Sequence, residues 1–189
     1  MASVGRAFVA VFPPVHVVDA LDARLDAARR AAPDLRFSPR DDWHVTLRFL
    51  GRVGEIDDVV ARVGPVVATL PPVDGLQLAG AGAFPKPRHG SALWVGVEDG
   101  TARDRLGVLA TLVEAACVDA GFAPEDRVFH PHLTVARTGR ARDLRPLVDA
   151  IGPGPVGGPW TVAEVRLVAS DTRPTGAVYS DLARFPFTF

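Results

Sequence analysis

A four-residue pattern, His-x-Thr followed by an apolar residue, occurs twice in this chain and limits the folds that it can adopt. It appears as His44-Val45-Thr46-Leu47 and again as His132-Leu133-Thr134-Val135. The two copies are 88 positions apart (132 − 44), nearly half of the 189 residues. Five His and ten Thr in a chain of this length lead us to expect about 0.26 His-x-Thr triplets by chance. Two matched copies therefore predict an internal duplication.

Each copy lies in a run with the alternation of a β-strand. The run 43–50 alternates polar and apolar residues, as a strand with one buried face does. Because the apolar set should face the core, His44, Thr46 and Arg48 are predicted to share the opposite face. The second run, 129–137, places His132 and Thr134 on a common face in the same way.

The remaining sequence alternates helical and strand-like runs. Apolar stripes predict helices over 17–32, 55–70, 101–120 and 143–151, with a break or kink expected at Gly64-Pro65. Apolar runs predict strands over 6–12, 73–78, 92–97, 160–169 and 177–185, with Gly/Pro-rich loops over 79–88 and 152–159. When the sequence is aligned with itself at an offset of 88 residues, helix 55–70 aligns with helix 143–151, and strand 73–78 aligns with strand 160–169.

These patterns predict an α+β fold in a single domain over residues 1–189. We expect a bilobal, pseudo-twofold duplication with repeat halves of approximately 1–88 and 89–189 and intertwined lobes. Two antiparallel sheets should carry helices on the outside and leave a central cleft. The two His-x-Thr strands would form the floor of that cleft.

Charge and cysteine content narrow the class of protein. The formal net charge of −1 excludes non-specific nucleic-acid binding through an overall positive field. The single cysteine, Cys117, cannot form an intramolecular disulfide, which fits a reducing compartment. No apolar run approaches the roughly 18 residues of a membrane span, and no signal peptide is evident. We therefore expect a soluble, cytoplasmic monomer with no membrane partner.

The doubled pattern suits phosphoryl or acyl transfer. Imidazole titrates near neutral pH, so one histidine can accept a proton while a second donates one. A threonine two residues along the strand projects to the same side, where its hydroxyl can hold a phosphate oxygen. The sequence contains no GxxxxGK phosphate-binding loop, so no ATP site is expected. We expect this chemistry to need neither a metal nor another cofactor.

Other interpretations remain open. His130 and His132, at positions i and i+2, would share a strand face and could bind a metal ion. Against this, no acidic residue has metal-ligand spacing near either motif, and the 88-residue offset pairs His130 with Asp42. The alternatives to a metal-independent enzyme are a non-catalytic module that binds nucleotides or RNA ends, and a metal-dependent phosphohydrolase.

The motifs resemble a known family. WHVTLRFLG (43–51) and HPHLTVAR (130–137) are similar to the two signatures of the two-histidine (2H) phosphoesterase superfamily. The resemblance is to its bacterial and archaeal RNA 2',3'-cyclic phosphodiesterase branch, historically called 2'-5' RNA ligase. RAFVAVFPP near the start, the segment 84–97 and the ending GAVYSDLARFPF are also similar to that branch.

The resemblance implies a metal-independent enzyme that opens a 2',3'-cyclic phosphate at an RNA end to a 2'-phosphomonoester. Some members run the reverse, ATP-independent 2'-5' joining. His44 and His132 would be the acid and base, Thr46 and Thr134 would bind the phosphate, and Arg137 would be a further phosphate ligand. Strand alternation turns Arg137 away from that face unless the strand ends or bulges there. The implied substrates are RNA ends or small cyclic nucleotides.

Overall fold

The structure, a computed structural model, describes residues 5–173 and 176–188, without the side chains of residues 172, 173 and 176. Within these residues the chain forms eight strands and four α-helices. The strands are β1 (Gly5–Val11), β2 (Val45–Val53), β3 (Val73–Phe84), β4 (Gly90–Val97), β5 (His132–Arg142), β6 (Pro155–Val162), β7 (Glu164–Arg173) and β8 (Gly176–Pro186). The helices are α1 (Val15–Ala31), α2 (Asp57–Ala68), α3 (Thr101–Asp119) and α4 (Arg145–Ile151).

The strands form one antiparallel sheet in the order β6-β3-β4-β5-β2-β1-β7-β8. The expected mixture of helices and antiparallel strands is confirmed, but the expectation of two separate sheets is wrong. β2 and β5, which carry the two motifs, lie at the centre and pair through Val45 and Leu133. Two separate sheets would leave both strands as unpaired edges, and this contact joins them. We call β6-β3-β4-β5 and β2-β1-β7-β8 the two halves of the sheet.

The helices cover one face of the sheet and interlock its halves. α1 lies between β1 and β2 in sequence, yet it packs against β6 of the other half and against α4. α3 similarly packs against β2 and α2, although it connects β4 to β5. Residues at helical spacing make these contacts, such as Val17, Leu21 and Leu25 of α1, all of which are fully buried. One continuous core results between the helices and the sheet.

Several element boundaries differ from those expected. α2 continues through Pro65 without ending. β3 extends to Phe84 through the expected 79–88 loop, and the expected strand 160–169 is two strands, β6 and β7. β6 tolerates its glycines and prolines because it lies at the edge of the sheet. None of the helices that the structure describes is long and apolar enough to cross a membrane.

Candidate active site

A cleft lies on the face of the sheet opposite the helices. Alternation along β1 shows the two faces, because Val9 and Val11 join the helix-side core while Phe8 and Ala10 join a small cluster on the other side. The cleft has a volume of about 870 Å³. Five of the six predicted site residues line it, namely His44, Thr46, His132, Thr134 and Arg137.

The two histidines are held in the same way. Nδ1 of His44 lies 2.6 Å from the carbonyl oxygen of Asp42, and Nδ1 of His132 lies 2.7 Å from that of His130. A carbonyl oxygen can only accept, so Nδ1 of each neutral ring carries the proton. Nε2 is then left with a free lone pair on both rings. Each histidine is therefore oriented as a base by the backbone two residues before it.

Burial lowers the pKa of both imidazoles. The pKa of His44 falls from its usual 6.5 to about 4, chiefly through desolvation, with smaller contributions from the positive charges of Arg137 and His132. The pKa of His132 is lowered as well, again mainly by desolvation and then by His130 and Arg137. The hydrogen bonds to the backbone carbonyls oppose this shift. Both rings are thus predominantly neutral at pH 7 in the absence of substrate.

Aromatic rings enclose each histidine. Phe8 stacks on His44 with ring centroids 4.5 Å apart and planes 19° apart, and Tyr179 meets the same ring edge-on at 5.4 Å. On the other side, Phe84 meets His132 edge-on at 4.9 Å, and Trp94 lies 6.0 Å from it. These contacts remove water from the rings and explain the desolvation.

Matched β-bulges decide where the residues after each threonine point. In β5, Thr134 pairs with Trp94 and Ala136 with Leu93, so Val135 is the extra residue. In β2, Thr46 pairs with Ala10 and Arg48 with Val9, so Leu47 is the extra residue. An extra residue shifts the alternation by one. Arg137 therefore reaches the cleft, as it could only do if the strand bulged.

The same shift removes Arg48 from the site. The prediction that Arg48 shares a face with His44 and Thr46 is wrong, because the bulge at Leu47 turns Arg48 toward the helices. Its side chain is 7% exposed and pairs with Glu114 of α3. Phe49 takes the cleft-facing place instead. The 88-residue offset is consistent with this exchange of faces, since it aligns Arg48 with the buried Ala136 and Phe49 with Arg137.

The cleft also contains residues that sequence reasoning did not select. Tyr179 of β8, Arg6 of β1 and Arg36, which follows α1, all line it. Burial raises the pKa of Tyr179, so its hydroxyl stays protonated at neutral pH. Phe8, which stacks on His44, lines the cleft as well. Nothing in the sequence links these positions, which lie far apart along the chain.

The described part of the chain contains no group of three or more His, Cys, Asp or Glu side chains that could hold a metal ion. His130 lies beside His132, with ring centroids 5.9 Å apart, but the ring nitrogen Nδ1 of His132 is directed at a backbone carbonyl. The arrangement instead presents two free Nε2 atoms, two hydroxyls and one guanidinium to a common space. Such a set can bind an anion and move protons on either side of it.

Comparisons with known proteins agree with this geometry. A sequence model of the 2'-5' RNA ligase superfamily matches residues 17–174. The chain is 33% identical over 185 residues to a Methanothermobacter thermautotrophicus protein named RNA 2',3'-cyclic phosphodiesterase, covering 95% of this chain and 97% of that protein. An Aeropyrum pernix protein of the same name is 36% identical over 146 residues, covering 75% and 80% of the two chains.

Solved structures have the same fold. The crystal structure of TT0787 from Thermus thermophilus superposes with a TM-score of 0.78 at 27% identity, covering 96% of this chain and 97% of that one. The structure of E. coli LigT complexed with 3'-AMP gives a TM-score of 0.72 at 23% identity over the full length of both chains. The extent of these matches, together with the doubled His-x-Thr site, shows that the chain belongs to the 2'-5' RNA ligase superfamily.

Proposed function

We propose that this protein is a metal-independent RNA 2',3'-cyclic 3'-phosphodiesterase, which hydrolyses an RNA-terminal 2',3'-cyclic phosphate to a 2'-phosphomonoester. The observation that carries this is the matched pair of imidazoles, each bonded through Nδ1 to a backbone carbonyl and each free at Nε2. The names of the two relatives support cyclic phosphate hydrolysis and favour it over a module that only binds.

The reaction needs one proton removed and one supplied. One imidazole takes a proton from water as the water oxygen bonds to phosphorus, and the other donates a proton to the 3' oxygen as the phosphorus–3' oxygen bond breaks. The 2'-phosphomonoester and a free 3' hydroxyl result. The negative charge of the bound phosphate raises the pKa of a nearby imidazole, so the acid can acquire its proton in the complex. The resemblance assigns the base to His132 and the acid to His44.

Thr46, Thr134 and Arg137 form the phosphate site in this proposal. Each threonine lies two residues beyond its histidine, and both hydroxyls line the cleft. The guanidinium of Arg137 influences the pKa of both histidines, which places its charge within reach of the space between them. These groups would hold the non-bridging oxygens, and Arg137 would stabilise the charge that develops on them.

The cleft favours an RNA end over a small cyclic nucleotide as substrate. Besides Arg137, the exposed side chains of Arg6 and Arg36 line it, on β1 and on the segment after α1. One cyclic phosphate offers two non-bridging oxygens, whereas a chain of nucleotides offers further phosphates that Arg6 and Arg36 could contact. Such local contacts are compatible with a net charge of −1.

The decisive experiment is an assay of the purified protein with a short RNA ending in a 2',3'-cyclic phosphate, in the presence of EDTA. We expect a 2'-phosphate product, and a loss of kcat of at least about 100-fold in His44→Ala and in His132→Ala. No product from the wild type, or full activity in both variants, would refute the proposal. Activity that EDTA abolishes and Zn²⁺ restores would point to the metal-dependent hydrolase.

Assignment of the acid can be tested with a substrate that has sulfur in place of the 3' oxygen. Thiolate leaves without a proton, so this substrate should recover most of its rate in the variant that lacks the acid. We expect recovery in His44→Ala and none in His132→Ala. The opposite pattern would exchange the two roles.

Salt dependence of binding tests the RNA end as substrate. We expect Arg6→Gln and Arg36→Gln each to reduce the slope of log affinity against log salt by about 0.7 for an RNA pentamer ending in a 2'-phosphate. The exposed Arg105 of α3, outside the cleft, provides the control variant Arg105→Gln. Unchanged slopes in both cleft variants would instead favour small cyclic nucleotides.

We propose that the whole chain acts as one domain, since each half of the sheet takes strands from both halves of the sequence. A cytoplasmic, monomeric enzyme is part of the same proposal, and light scattering tests the monomer. The 2'-5' joining reaction needs the same two proton transfers, with a 5' hydroxyl in the place of water as the group that bonds to phosphorus while the phosphorus–3' oxygen bond breaks. It can be tested by incubating an RNA that ends in a 2',3'-cyclic phosphate with a second RNA that begins with a 5' hydroxyl.

A further inference from the structure

Arg48 makes a buried, three-way contact beneath the active site. Its Nε lies 2.5 Å from Oε2 of Glu114 on α3, and its Nη1 lies 3.5 Å from Oε2 of Glu125. Its Nη2 also donates to the carbonyl oxygen of Ala123. One guanidinium thus joins strand β2, helix α3 and the segment that follows α3.

That segment, residues 122–131, leads directly into the second motif. Phe122 and Phe129 pack against the core near its ends, while most residues between them are exposed. The contacts of Arg48 with Ala123 and Glu125 fix its first part, and Glu114 reinforces them by accepting a hydrogen bond from the backbone N–H of Glu125 at 2.8 Å. The segment continues to His130, whose carbonyl oxygen orients the ring of His132.

The sheet itself supplies little of this connection. β2 and β5 pair through Val45 and Leu133, three residues before Arg48. Extending that antiparallel register places the chain before His132 alongside the part of β2 that contains Arg48. Beyond this backbone pair, the contacts of the Arg48 side chain connect β2 to the segment that precedes His132.

We propose that Arg48 is a positioning residue that fixes His132 relative to His44, by holding the 122–131 segment to β2. The inference rests on the proposed function for its kinetic consequences. Misplacing a catalytic group by about 1 Å can cost about 100-fold in rate. Substrate binding through Thr46 and Arg137 does not pass through this contact, so kcat should fall while KM changes little.

Two substitutions of Arg48 should lower kcat by different amounts. Arg48→Lys keeps the charge beside Glu114, but a single ammonium cannot reproduce the fork that reaches Glu125 and Ala123. We expect kcat to fall about 10-fold in Arg48→Lys and about 100-fold in Arg48→Met, with KM within about twofold of wild type. If Arg48→Met does not fold, Arg48→Lys decides the question.

Arg24 offers a control that also joins separate elements. It lies half-buried on α1 and donates through Nη1 to the carbonyl oxygen of Ile151 at 3.1 Å and through Nη2 to that of Pro155 at 2.8 Å. Arg24→Lys therefore disturbs a similar fork away from the cleft, and we expect unchanged kcat. Val63→Ala, in the buried face of α2, controls for loss of stability alone.

A second measurement follows His132 directly. Imidazole ¹⁵N chemical shifts report which ring nitrogen carries the proton, and we expect those of His132 to change in Arg48→Lys while those of His44 stay as in wild type. Unchanged kcat together with unchanged His132 shifts, in an active wild-type background, would overturn the proposal. Absence of wild-type turnover would count against the proposed function instead, and the ¹⁵N shifts would still test the role of Arg48.

Discussion

Acid should destabilise this protein through the burial of His44. Burial lowers the pKa of this imidazole from 6.5 to about 4, with further lowering by the nearby charges of Arg137 and His132. In the unfolded chain the ring returns to water and to its ordinary pKa. Between these two values the unfolded state binds a proton that the folded state does not. Unfolding is therefore favoured progressively as the pH falls below 6.5, and the added penalty levels off below pH 4.

The size of the effect follows from the two pKa values. With 6.5 for the unfolded chain and about 4 for the folded one, linkage gives a loss of about 1 kcal/mol at pH 5.5 and about 2 to 3 kcal/mol at pH 4.5. The loss at pH 7 is close to zero. For comparison, a pKa shift of one unit is worth about 1.4 kcal/mol.

Urea unfolding of wild type and His44→Asn at pH 7.0, 5.5 and 4.5 measures the effect. The asparagine amide can still donate to the carbonyl of Asp42, but it does not titrate. Subtracting the two free energies of unfolding cancels the titrating groups that do not interact with His44, including His130. We expect the free energy of unfolding of the variant, relative to that of wild type, to increase by about 2 to 3 kcal/mol between pH 7.0 and 4.5, as linkage predicts. A shift below about 0.5 kcal/mol would refute the argument that His44 is held neutral by burial.

Three further predictions concern the threonines of the phosphate site, the packing of Gly82 against Trp94, and the pH profile. Thr46→Val and Thr134→Val should each lower kcat/KM by about 10-fold to 100-fold, since each removes a hydrogen bond to a charged phosphate and keeps the shape of the side chain. Equal activity of both variants and wild type would exclude the threonines from the site. Gly82→Ala should reduce the free energy of unfolding by about 1 to 3 kcal/mol, because its Cβ would lie 2.2 Å from the Trp94 ring. Gly107→Ala in α3, where a Cβ meets nothing within 4 Å, should stabilise and serves as the control. The basic limb of kcat should lie at higher pH than that of kcat/KM, because bound phosphate raises the pKa of the acid; coincident limbs would contradict this.

The alternation of strand residues was enough to find most of the site. It placed His44 with Thr46 and His132 with Thr134, and all four side chains line the cleft. The 88-residue offset also paired His44 with His132 and left His130 opposite Asp42, and His132 lines the cleft with His44. These inferences needed only local geometry, because period two holds wherever a strand is regular.

Alternation failed where the backbone departs from that regularity. A bulge adds a residue through main-chain geometry, and Leu47 and Val135 are ordinary strand residues, so the sequence signalled the bulges indirectly, through the alignment of Arg48 with Ala136 at the 88-residue offset. The two bulges had opposite effects on two arginines. Arg137 lies in the cleft, whereas Arg48 lies on the helix side of the sheet in a buried ion pair with Glu114.

The sequence by itself determined that two equivalent His-x-Thr strands exist, which residues they present to one face, and that helices and strands alternate around them. Only the tertiary structure decided that both strands lie side by side in one sheet, that backbone carbonyls leave Nε2 free on both histidines, and that Arg6, Arg36 and Tyr179 complete the cleft. The reason is physical. The face of the sheet to which a side chain points depends on its position among its neighbours in the strand. Strand order, bulges and contacts between distant segments depend on the packing of the whole chain.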